Sequence, residues 1–68
     1  MVFTDLESSN ISGAAYENSK LFVKFKNGSI YSYTGVRKEE FTELCNASSV
    51  GKYFAARIKN NYSFQKEV

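Results

Sequence analysis

Polar and apolar residues alternate most strictly between Lys20 and Lys26. Leu21, Val23 and Phe25 share one face of an extended segment, and Lys20, Phe22, Lys24 and Lys26 share the other. This period of two predicts a β-strand. Ser29 to Thr34 reads as the next strand, ended by Gly35. Between them lies Asn27-Gly28, a pair that tolerates the positive φ angles of a tight hairpin turn. A weaker strand precedes both, near Ile11 to Tyr16, where Gly13, Ala14 and Ala15 supply little side chain. Glu17-Asn18-Ser19 reads as the turn after it. Residues 1–9 are polar and expected to be loose.

The period then lengthens. Phe41, Leu44 and Cys45 recur at the spacing of one helix face, with Glu39 and Glu40 in the first turn, where the helix dipole favours acids. Asn46 to Ser49 interrupts the pattern. Ser48 or Ser49 can cap a second helix whose apolar face is Val50, Tyr53, Phe54 and Ile58, with Lys52, Ala55, Ala56 and Lys59 largely opposite. Asn60 and Asn61 end it, and Tyr62 and Phe64 are expected to tuck back onto the body. The order β-β-β-α-α predicts an α+β domain: a three-stranded antiparallel meander followed by two short helices packed on one face. Residues 1–68 form one domain.

The hairpin register decides the role of Tyr31 and Tyr33. A two-residue turn at Asn27-Gly28 sets Lys24 opposite Tyr31 and Phe22 opposite Tyr33. The tyrosines then join Phe22, Lys24 and Lys26 on an outward platform suited to stacking nucleobases. A three-residue loop, Lys26-Asn27-Gly28, shifts the pairing by one. Val23 then faces Tyr31, Leu21 faces Tyr33, and both tyrosines enter the core. Core filling favours the inward register, because the outward one leaves only Ile30, Ser32 and Thr34 to the interior.

Composition sharpens this picture. A chain of 68 residues with 16% aromatics has a thin core that depends on its large rings. One cysteine and no histidine leave no disulfide within the chain and no zinc ligand set, so no cofactor is expected, and the lone thiol points to a reducing, cytoplasmic setting. No signal peptide and no membrane span is visible. The net charge is only +2, yet it is blocked: −3 over residues 1–19, +5 over 20–38, −3 over 39–49 and +3 over 50–68. Blocking of this kind can make a basic face on a near-neutral protein, the footprint of phosphate binding. Catalysis is not expected. Histidine is absent, and Cys45 lies on an apolar helix face, where thiols are structural.

Several stretches resemble the KTSC domain, a small module also found at the C-terminus of some lysyl-tRNA synthetases and as a free-standing protein in bacteria and their phages. Tyr31-Ser32-Tyr33 is similar to its central Tyr-x-Tyr motif, and Ser49-Val50-Gly51-Lys52-Tyr53-Phe54 to its second signature. The resemblance runs over roughly residues 8–64. The chain departs from the family pattern in three places. Arg37 stands where a proline usually opens the first helix, Ala55 where an asparagine is common, and Lys59 where an arginine is usual. The family has no established activity, and RNA binding has been suggested for it.

Two functions remain open. One is a binding module for nucleic acid, RNA favoured, through Lys24, Lys26, Lys52, Arg57 and Lys59, with Tyr33 stacking in the outward register. The other is a protein-interaction module, a bacterial or phage regulator or inhibitor, using a sheet edge or helix face as a monomer or weak homodimer.

Overall fold

Two chain reversals with different turn chemistry set the sheet. The computed structural model describes residues 1–68. Strand β1 is Thr4–Asp5, β2 is Ile11–Glu17, β3 is Lys20–Phe25, β4 is Ile30–Thr34 and β5 is Phe64–Lys66. Between β2 and β3, Asn18 and Ser19 both take positive φ, at 55° and 62°, and Glu17 pairs with Lys20. This is a two-residue turn of the primed kind, whose twist matches the strands. The Asn-Gly pair makes the longer loop instead. Phe25 N–H donates to Ser29 O at 2.8 Å and Gly28 N–H to Phe25 O at 2.9 Å, with Gly28 at φ 94°. Asn27 Oδ1 accepts from Ser29 N–H at 2.9 Å, so the asparagine fixes the loop from within.

The three-residue loop selects the inward register. Val23 pairs with Tyr31 and Leu21 with Tyr33. Tyr33 is only 4% exposed and lies in the core beside Leu21 and Val23. The outward stacking platform therefore does not form.

The sheet has five strands in the order β1-β2-β3-β4-β5, all antiparallel, rather than the three expected. The two additions are two and three residues long, too short for any alternation to show. All five of their residues are exposed, so they carry no burial pattern either. Backbone pairing alone defines them. Leu6 N–H reaches Ser12 O at 3.0 Å, so residues 1–9 are not all loose, and Thr34 N–H reaches Ser63 O at 2.9 Å. Tyr62 does pack against the core, but Phe64 stays 61% exposed on β5.

A bulge between Ile11 and Gly13 explains the weak pattern of β2. The extra residue lets Ile11 and Ala14 both face the core, which breaks the period of two. Gly13 suits the site, because a Cβ there would come within 3.1 Å of Thr4 O and press β1 back by a few tenths of an ångström.

Helix α1 is Lys38–Asn46, and helix α2, Val50–Tyr53, runs on without a break into a π-helical turn, Phe54–Ile58. Position 37 is the N-cap of α1 rather than its first helical residue, and Arg37 makes no side-chain cap bond. Ser49 caps α2 by accepting from Lys52 N–H at 3.3 Å. Both helices cover one face of the sheet through Leu44, Val50, Phe54 and Ile58. Tyr16 ties α1 to the sheet. Its ring stacks on Phe41 at 5.7 Å and its hydroxyl donates to Val36 O at 2.6 Å. Two further tyrosines tie the chain to α1: Tyr53 donates to Glu43 at 2.8 Å and Tyr62 to Glu40.

Two outcomes follow from these contacts. Ser19→Gly should raise the urea midpoint by the equivalent of about 0.5 kcal/mol. Relief of the left-handed backbone, about 1 kcal/mol, outweighs the added freedom of the unfolded chain. A lower midpoint would show that Ser19 is not strained.

The second outcome concerns alkaline pH. Burial, then the bond to Glu43, pushes the Tyr53 phenol up to about 12, and the bond to Glu40, then burial, raises Tyr62. Folded-state values above the ordinary 10.0 favour the neutral phenols. Their contribution is full below about pH 10 and is lost as pH rises through the folded values. The double variant Tyr53→Phe, Tyr62→Phe should therefore be less stable than the parent at neutral pH and should show a shallower decline between about pH 10 and about 12. Equal slopes would mean the two bonds carry no linkage.

Candidate functional site

The helices do not cover the whole inner face. Toward the β3–β4 loop and the β5 edge they leave a groove of about 800 Å³, within the range of ligand sites. Its apolar wall is aromatic. Phe25 meets Tyr31 and Phe54 edge-on, both at 5.7 Å, and Tyr33 meets Phe54 edge-on at 5.5 Å. Such contacts hold the rings in fixed orientations. Phe64 leans over Tyr31 at 5.9 Å and Tyr33 at 6.0 Å, and it alone presents a largely uncovered ring to solvent.

Polar groups complete the lining: Lys26, Asn27 and Ser29 from the β3–β4 loop, Ser9 and Asn10 before β2, and Lys59 and Asn60 after the π turn. The chain has five tyrosines, and they divide cleanly. Tyr16, Tyr53 and Tyr62 donate to protein oxygens, whereas Tyr31 and Tyr33, the two in the groove, have no protein partner. No buried side-chain polar atom is sealed from solvent without a partner, so the Tyr33 hydroxyl keeps access to solvent, and Tyr33 itself lines the groove. Burial, then neighbouring Tyr31, raises the Tyr33 phenol above its ordinary value, so it keeps its proton.

The helical side of the groove ends in the π turn. Lys59 N–H bonds Phe54 O at 2.9 Å, the i→i−5 closure of a wide turn. In a regular α-helix, at about 100° per residue, Lys59 would sit about 140° from the core-facing Phe54. The wider turn swings Lys59 closer to the Phe54 side, and it lines the groove in the same i+4 row as Gly51 and Ala55, while Ile58 remains buried. Ala55 and Lys59 are thus groove residues, not part of a featureless outer face.

The six sequence-predicted contacts separate. Lys26, Lys59 and Tyr33 converge on the groove. Lys24 lies on the opposite face of the sheet, its Nζ 5.1 Å from the centroid of the Phe3 ring. Arg57 sits over the Tyr53 ring at 5.6 Å, on the side of the helix facing Glu43, and Lys52 does not line the groove. Tyr33 is present by its hydroxyl, not by a stacking face. Phe64, Asn10 and Asn60 were missed by sequence reasoning. Phe64 had no signal, because the groove exists only once β5 pairs with β4.

Cys45 is half-buried, and burial pushes its thiol up, which makes a thiolate scarce. No cluster of three His, Cys, Asp or Glu residues is placed to hold a metal ion, and no helix is long and apolar enough to cross a membrane.

No curated protein matches the chain. Among solved structures, the crystal structure of a KTSC domain protein from Yersinia pestis superposes with a TM-score of 0.91 at 27% identity, covering 98% of this chain and 97% of that one. The KTSC domain model matches residues 7–62, a span that holds the Tyr-x-Tyr strand, both helices and all the groove residues but Phe64. The chain belongs to the KTSC domain family.

Proposed function

We propose that the groove binds single-stranded nucleic acid, RNA in the first instance. One observation carries the reading: an uncovered aromatic ring, two cations and unpartnered hydroxyls line a single cleft. Phe64 offers the ring face that any base can stack on. Lys26 and Lys59 are exposed at the rim, where a phosphate can reach them without losing its water. Asn10 and Asn60 are amides of the kind that meet base and sugar edges. Non-enzymatic binding is the fitting activity, since the cleft holds no activated nucleophile and no histidine.

Docking of a protein strand is the weaker reading. The sheet edges, β1 and β5, offer only two and three residues, which is little template for pairing.

The test is a titration with a mixed-sequence single-stranded RNA of about ten nucleotides, at about 50 and about 200 mM salt. Binding should weaken with salt, with a log–log slope near −1.4, about 0.7 for each of two lysines on a single strand. Lys59→Gln should reduce the slope by about 0.7, and Lys24→Gln on the far face should leave it unchanged. Absence of binding at the lower salt would reject the proposal.

A further inference from the structure

The polar groups of the groove differ by depth. Lys26 and Lys59 are exposed at its rim, whereas Tyr33 is 4% exposed at its floor. The Tyr33 ring is fully employed in packing, held edge-on by Phe54 and covered by Phe64. Its oxygen is employed in nothing within the protein. Phenylalanine would fill the same volume, and every other well-packed tyrosine outside the groove uses its hydroxyl to join two elements. The Tyr33 hydroxyl instead has no protein partner and is not sealed from solvent, in a residue that lines the cleft.

We infer that the Tyr33 hydroxyl is a hydrogen-bonding contact to the base of the bound nucleotide, meeting a base edge while Lys26 and Lys59 hold the flanking phosphate at the rim. The inference rests on the nucleic-acid reading above and assigns the recognition step within it. Stacking on Phe64 accepts any base, and the lysines see only phosphate. Beside the Asn10 and Asn60 amides, a hydroxyl on a locked ring is an element that can tell a base edge from bare polyanion. Because the ring is locked by its neighbours, the hydroxyl is preorganised and no side-chain freedom is lost on binding.

Tyr33→Phe, titrated with the same single-stranded RNA and with inorganic polyphosphate, separates these roles. The variant should bind RNA about 3- to 10-fold more weakly, the usual range for one neutral hydrogen bond. The loss should be the same at both salt concentrations, since no charge is removed. Polyphosphate binding should not change, and the urea midpoint should not fall, because the hydroxyl has no partner in the protein. Unchanged RNA affinity would overturn the inference and leave the nucleic-acid reading standing. An equal loss on polyphosphate would overturn it too, by showing that the hydroxyl does not read the base. A lower midpoint would show that the oxygen has a structural partner after all, with the same result. Failure of the parent protein to bind RNA at all would reject both.

Discussion

Everything on the inner face of the sheet depends on one extra residue in the β3–β4 loop. Gly28 takes φ 94° and lets the chain reverse over Lys26-Asn27-Gly28, so Val23 faces Tyr31 and Leu21 faces Tyr33. A strand has a side-chain period of two, so a loop one residue shorter would turn β4 over. Ser32 would then occupy the core, and the two tyrosines would lie on the open face with Phe22 and Lys24. The Asn27 side chain protects this choice by bonding Ser29 N–H across the loop. Register, core filling and the floor of the groove are therefore one decision, made by three residues.

The β3–β4 pair was legible because its period of two is long enough to read and because core volume discriminates between the two registers. Helix α2 was legible through Ser49 and the spacing of Val50, Phe54 and Ile58. Position 59 was legible as a candidate cation, but not as a residue on the Phe54 side of the helix. Spacing at 3.6 residues puts Lys59 away from the core, and nothing local announces that Phe54–Ile58 winds as a π turn. Strands β1 and β5 escaped for a different reason. They are defined by pairing to free backbone groups on β2 and β4, with no side-chain periodicity of their own to read. The candidate site suffered most from this, since its outer wall, Phe64, belongs to the strand that cannot be seen from sequence.

A small domain has few large side chains to divide between stability and function. Here the same rings serve both. Phe25, Tyr33 and Phe54 interlock edge-on and close the core, and their far edges form the wall of the cleft. The helices could cover that wall only if α2 ran further along the sheet. Instead the chain widens into the π turn, ends at Asn60 and Asn61, and returns as β5 along the other side. The cleft is the gap between this return and the β3–β4 loop.

The division of the tyrosines argues that the gap is not a packing defect. A tyrosine chosen for bulk alone should place its oxygen on a protein acceptor or hold it well out in water, because desolvating a hydroxyl without a bond costs about 1–3 kcal/mol. Tyr16, Tyr53 and Tyr62 follow the first course, reaching Val36 O before α1 and the Glu43 and Glu40 carboxylates on it. Tyr33 follows neither. Its residue is nearly as buried as Leu21 or Val23, yet its oxygen has no protein partner and keeps only what access to solvent the groove-lining position leaves it. The cleft also collects two of the nine lysines and arginines at its rim. Simple failure to pack would leave an apolar gap lined by whatever side chains fell short. A wall of locked rings with a hydroxyl at the floor and cations at the mouth has the order of polarity, from inside to outside, that a nucleotide presents from base to phosphate.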